Sequence, residues 1–214
     1  LCHASDQPRC RFAGGADASN IIYRSEGMPK VMINKATATA SPKSISFDAT
    51  GMQLGKSDLN LKTDISNPLA MFSTEKSMNI NIVGNSQFFD LNEWMSEPSS
   101  ATQSKEMAPM EVNEDLLKNT NVTMVLSAKK VLYDTYTLNN VKLDTKIAAN
   151  AMDIKNMSGD LDGNDFAISG AVLNAYDYMF NNGTIDGKIN LTSNKFDANK
   201  FLTEPPAQQS AEPL

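Results

Sequence analysis

Three carboxylates crowd one glycine in DLDGND, residues 160–165. Asp160, Asp162 and Asp165 at that spacing offer the hard oxygen donors that calcium takes. Calcium, however, needs six or more oxygens and usually a later bidentate glutamate. A hairpin turn accounts for the same residues, because Asp and Gly both favour tight reversals. Nucleophilic catalysis by a Ser–His pair has little to draw on, since His3 is the only histidine and a triad needs a base held against its nucleophile. Cys2 and Cys10 could close a local disulfide in an oxidising compartment, and with His3 they are too few to enclose zinc. No glycine loop of the phosphate-binding kind is present. Carboxylates are numerous, but on a solvated strand face that is their ordinary place. The sequons at Asn121, Asn156, Asn182 and Asn190 are what chance gives in an Asn- and Thr-rich chain, and would matter only in a eukaryotic secreted protein. The expectation is a non-enzyme with no metal and no cofactor.

The bulk numbers agree with a globular, non-nucleic-acid-binding chain. In 214 residues, 21% are charged and 41% hydrophobic, with a net charge of −6, a folded rather than disordered balance. Lys and Arg form no block, so a nucleic-acid footprint is missing. No run of eighteen apolar residues offers a membrane-spanning helix, and the start lacks a signal-peptide pattern. The first residue is Leu1, and we read the chain as a piece of a longer protein whose targeting segment lies elsewhere.

One phrase occurs twice. FDLNEWMSEP at 89–98 returns as FDANKFLTEP at 196–205, an offset of 107 (197 − 90). Internal repetition governs the whole reading of a fold. Holding the offset fixed, Leu54 meets Leu161, Asp58 meets Asp165, Asn67 meets Asn174 and Ser86 meets Ser193. The match needs no insertion from Leu54 to Pro98. It weakens upstream, and before about Gly27 no correspondence is visible.

The repeated units alternate with period two. MNINIV sets Met78, Ile80 and Ile82 against Asn79 and Asn81, and DLNLKTDI sets Leu59, Leu61 and Ile65 against Asn60, Lys62 and Asp64. NVTMVLSA, NVKLDTKI and TIDGKINL repeat the pattern. Such alternation predicts antiparallel strands with one apolar and one wet face. DATG, GKSD, MSGD, DGND and FNNG stand between them as turn words. Asp90 is placed to cap a short helix over Leu91–Met95, with Glu93 at the capping-box position, Trp94 packing it down and Pro98 stopping it. Asp197 is placed to cap Ala198–Leu202 likewise, and Asn113 a helix through Leu117. The division is an uncertain N-terminal segment at 1–27, a first β-repeat unit at 28–96, a Pro/Ser-rich linker at 97–112, a second unit at 113–203 and a C-terminal linker at 204–214.

The order NVTMVLSA, then LNNVKL, then LDGNDFAISG and a closing FDANKFL resembles the AsmA-like family of bacterial envelope proteins, in particular its C-terminal region. The resemblance covers roughly residues 28–205 and rests on a pattern of strands rather than on an invariant motif. It implies a periplasmic, β-rich body, usually anchored in the inner membrane by an N-terminal helix that is not found here. Relatives of that family include the TamB-like and bridge-like lipid transfer proteins, in which a long sheet curls into an apolar trough. The implied role is phospholipid transport or outer-membrane biogenesis.

The expected fold is therefore all-β, an antiparallel meander of two tandem units with one or two short helices each. Periodicity leaves open whether it curls into an open groove or closes as a sandwich core. The resemblance favours the groove, with phospholipid acyl chains as partners and Leu59, Leu61, Ile65, Met78, Ile80, Ile82, Phe166, Ile168, Val172, Ile185, Ile189 and Leu191 as its candidate lining. The twelve methionines suit an adaptable apolar surface. A structural or adhesive β-repeat with a closed core is the alternative, and a polysaccharide-active enzyme a more distant one.

Overall fold

Every alternating segment becomes a strand. A computed structural model describes residues 13–25, 28–72, 76–95, 119–148, 150–174 and 183–197. They form one ten-stranded sheet in which spatial order follows chain order. Its strands are β1 (Gly14–Tyr23), β2 (Val31–Ala40), β3 (Ser44–Leu54), β4 (Ser57–Ser66), β5 (Met78–Asp90), β6 (Thr120–Tyr133), β7 (Tyr136–Ala148), β8 (Ala151–Leu161), β9 (Asn164–Leu173) and β10 (Asp186–Thr192). A 3-10 turn at Pro68–Phe72 follows β4, and a one-turn helix α1 (Asn92–Met95) follows β5. β1 and β10 are not joined, so the sheet is open. It is an all-β meander rather than a barrel or a two-sheet sandwich.

One pair departs from the meander. β6 runs parallel to β5, with Met78 opposite Thr120 and Asp90 opposite Leu132, while every other neighbouring pair is antiparallel. A parallel neighbour needs a connection that carries the chain back along the strand. Residues 91–119 make that return, so the sheet consists of two five-stranded meanders joined side by side. The linker at 97–112 and the helices expected at 113–117 and 198–202 lie outside the described residues.

The offset of 107 holds for whole strands. β3 and β8, and β4 and β9, begin and end at equivalent positions. The N-terminal segment, where no correspondence is visible in the sequence, supplies β1 in the place that β6 holds in the second unit. Its register is slipped by one residue. Ala18 faces Ala36 in the first unit, whereas Leu126 faces Leu143 in the second, so β1 and β6 are related by 108. A fixed offset therefore compares opposite faces of these two strands, and a one-residue slip in a period-two element erases all likeness.

Two of the turn words make turns. Gly55 of GKSD alone has positive φ, as a type II′ reversal needs, and Asp162 and Gly163 both do, as type I′ needs. DATG and MSGD instead lie inside β3 and β8. Register shifts fall between Ala49 and Met52 in β3 and between Ile154 and Met157 in β8, so the extra residue is absorbed as a bulge and the strand continues. FNNG is only partly within the described residues.

Gly170 carries the strictest demand for glycine. Its φ is 152°, and an added Cβ would collide with the Lys188 carbonyl oxygen on β10. Gly170→Ala should cost about 1–3 kcal/mol in backbone strain alone and release β10. Amide exchange is expected to accelerate across 186–192 while β2–β8 keep their protection; unchanged exchange in β10 would contradict the geometry.

Candidate functional site

Register turns the alternation of single strands into rows that cross the sheet. One row runs Ile65, Ile80, Val122, Ile147, Met152, Val172 from β4 to β9. A second runs Thr63, Ile82, Met124, Thr145, Ile154, Gly170, Ile189, and a third Leu61, Gly84, Leu126, Leu143, Met157, Ile168, Leu191. The β8 bulge leaves these side chains on one face, because it adds one residue between Ile154 and Met157 and preserves the alternation on either side. The opposite face is polar. There Asn121 donates to Asn79 at 3.1 Å, Asn60 donates to Asn85 at 3.1 Å, and Lys155 lies 3.8 Å from Asp144.

The described residues give the apolar face little cover. Among the described residues only Ala36, Ala49, Leu54, Ala70, Met78 and Val131 are buried apolar side chains. A sheet face of this width ordinarily buries itself against a second layer. Here the face is hollowed into a trough of about 800 Å3, within the ~300–1,000 Å3 span of small-molecule sites. Leu59 and Leu61 of β4, Ile82, Gly84 and Phe89 of β5, Met124, Leu126 and Val131 of β6, Leu138, Val141 and Leu143 of β7 and Met157 of β8 line it. It thus straddles the parallel junction of the two units. Hydroxyls enter its lining only from Ser86, Ser127 and Tyr133. Gly84 gives the floor its depth, since an added Cβ would come within 2.7 Å of the Leu126 side chain.

Leu91, Phe89 and Tyr133 line the end of the trough at α1. The repeated phrase positions that end. Asp90 Oδ1 accepts from the Asn92 N–H at 3.1 Å, and the Trp94 N–H donates to the Leu91 carbonyl at 3.0 Å. Asn92 clasps the β6–β7 turn in both directions. Its Oδ1 accepts from the Asp134 N–H at 2.6 Å, and its Nδ2 donates to the Asp134 carbonyl at 3.1 Å. Glu93 does not close a capping box. Its carboxylate accepts from the Lys56 N–H at 2.9 Å and sits 3.9 Å from Lys56 Nζ. The Asp90 N–H that a capping box would satisfy donates instead to Ser57 Oγ at 2.8 Å. α1 therefore ties the β3–β4 turn of one unit to the β6–β7 turn of the other. Trp94 is 38% exposed, and the polar bonds of Asn92 and Glu93 hold the helix to the two turns.

Of the twelve candidate lining residues, Leu59, Leu61 and Ile82 line the trough. Ile65, Met78, Ile80, Phe166, Ile168, Val172, Ile189 and Leu191 share its face by register and alternation but lie outside the hollow. Ile185 stands just before β10 and is exposed. The β6 and β7 contribution is absent from that set. Alternation in NVTMVLSA and NVKLDTKI pointed to it, but their counterparts in the first unit are Gly- and Ala-rich β1 and β2, so a choice resting on paired positions passed over them. Asp197 lies within the described residues, and its N–H donates to Asn164 Oδ1 at 2.6 Å.

The three carboxylates of DLDGND serve three separate backbone sites. Asp160 accepts from the Gly163 N–H at 2.7 Å, Asp162 from the Thr137 N–H at 3.2 Å, and Asp165 from the Asn194 and Lys195 N–H groups. Among the described residues no group of three or more His, Cys, Asp or Glu is placed to hold a metal, and no helix is long and apolar enough to cross a membrane. No protein-family model, curated protein or solved structure matches the chain.

Proposed function

We propose that the chain is a non-catalytic, lipid-handling module of the bacterial envelope, working in the periplasm as a segment of an AsmA-like protein. Inner-membrane anchoring would come from parts outside this chain, and the task would be phospholipid transport or outer-membrane biogenesis. The observation that carries this reading is the apolar trough of about 800 Å3, left uncovered by the described residues, at the centre of an open sheet. An acyl chain is the ligand that such a lining favours, because it asks for apolar area and no directional polar partner. Burying about ten methylenes gives roughly 8 kcal/mol before the costs of ordering and association are taken off. The strand resemblance supplies the envelope and the phospholipid.

The test is a photo-crosslinking residue placed at Ile82 in the trough and, separately, at Asn81 on the polar face. Expressed in a Gram-negative periplasm, the first is expected to yield phospholipid adducts by mass spectrometry and the second none. Equal labelling from both faces, or no lipid with either, would remove the support for a lipid trough.

A further inference from the structure

Among the described residues, β1 and β10 each leave one edge of the sheet unpaired. An open edge is a row of free backbone donors and acceptors, ready to take another strand. The repeat shows what this kind of edge takes. The counterpart of β10 is β5, and along the matching edge of β5 lies β6, parallel, each residue opposite the one 42 positions later. The counterpart of β6 is β1. The two free edges are thus the two halves of a pairing that the chain already makes once within itself.

We propose that β10 of one copy pairs in parallel with β1 of a second copy, in the register of β5 on β6. With the offsets of 107 and 108, that register sets Gly187 beside Gly14 of the second copy, Ile189 beside its Ala16, Leu191 beside its Ala18 and Phe196 beside its Tyr23. Three independent features fit it. The apolar face of β10 continues into the apolar face of β1, since Ala16 and Ala18 face Ala38 and Ala36 on β2. The side chains it covers are the exposed ones: Ile189 at 50%, Leu191 at 62%, Phe196 at 60% and Tyr23 at 54%. At Ile189 beside Ala16 and Leu191 beside Ala18 a large residue meets a small one, as Leu126 meets Gly84 in the internal pair. The contact is heterologous and does not close on itself, so it adds copies in a row. It stands whether or not the trough holds lipid.

The experiment uses the full chain in a Cys2→Ser, Cys10→Ser background, with mass measured by light scattering across a concentration series. The parent is expected to show dimers and longer species that grow with concentration. Leu191→Lys blocks the β10 edge and Ala18→Lys the β1 edge. Both sites are exposed, and unchanged far-UV circular dichroism checks the fold. Each variant alone is expected to be a monomer. Mixed, they retain one live edge of each kind and should form a one-to-one dimer and nothing larger. A parent that stays monomeric, single variants that still associate, or a mixture that does not dimerise would each overturn the proposal.

Discussion

Leu126→Glu is expected to strip bound lipid from the protein while leaving the sheet folded. Leu126 stands mid-trough on β6, between Gly84 of β5 and Leu143 of β7. The substitution removes a leucine's apolar surface from the ligand, worth ~1.5–3 kcal/mol, and sets a carboxylate against an acyl chain, which adds a further desolvation cost. At about 1.4 kcal/mol per tenfold, retained lipid should fall about a hundredfold, read by mass spectrometry of extracted lipid against protein. The fold responds differently because the trough is open. The new carboxylate can turn to water, so the loss of stability should stay near 1 kcal/mol, the ordinary size of a point substitution. A closed core gives the reverse pattern, in which an unpaired buried charge unfolds the protein. Lipid lost with the melt preserved supports the trough. Melt and lipid lost together indicate a core.

That contrast between core and trough is what single-strand patterns could not decide. Alternation in MNINIV and DLNLKTDI states which side chains share a face, because Cβ direction follows from the backbone alone. It says nothing of what lies over that face, which depends on whether the last strand meets the first. The parallel junction was hidden for a similar reason. Residues 91–119 fix that the chain turns at Asp90, but a polar linker carries no signal for where it re-enters the sheet. β1 was lost to a one-residue slip and to its place at the edge, where GGADASNIIY faces few packing demands and need share no side chain with β6. The repeats of Asp58 at Asp165 and of Ser86 at Ser193 were plain in the sequence. Their partners were not, since the bonds they make span 28–30 residues.

Those recurring residues carry the second large prediction, Asp58→Ala. β4 and β5 pair only as far as Asn60 opposite Asn85, and beyond that point β5 continues to Asp90 with β6 on one side alone. The amides it turns towards β4 need acceptors, and side chains at the start of β4 supply them. Asp58 takes the Gln87 N–H at 3.0 Å and the Phe88 N–H at 2.6 Å, and Ser57 Oγ takes the Asp90 N–H at 2.8 Å. The second unit repeats this with Asp165 on Asn194 and Lys195, and with Asn164 on Asp197. Asp58→Ala leaves the part-buried Phe88 amide without its charged acceptor and returns the exposed Gln87 amide to water, for which about 1–3 kcal/mol is expected. The loss falls at the trough's α1 end, where Trp94 is the single tryptophan, so its fluorescence in urea should report a clear drop in midpoint. Asp165 sits at the exposed end of the sheet, and its removal should loosen 193–197 without moving the global midpoint. The Asn194 N–H first, and the Lys195 N–H after it, hold the Asp165 carboxyl below its ordinary 3.8. A carboxyl depressed on folding stabilises above its unfolded value and ceases to as pH falls through the folded one. Exchange at Asn194 and Lys195 should therefore quicken, relative to its intrinsic rate, only below about pH 4, and Asp165→Asn should abolish that acid step. If the midpoint falls equally for Asp58→Ala and Asp165→Ala, the two clamps bear the same load and the parallel junction is not the seam that holds the sheet together.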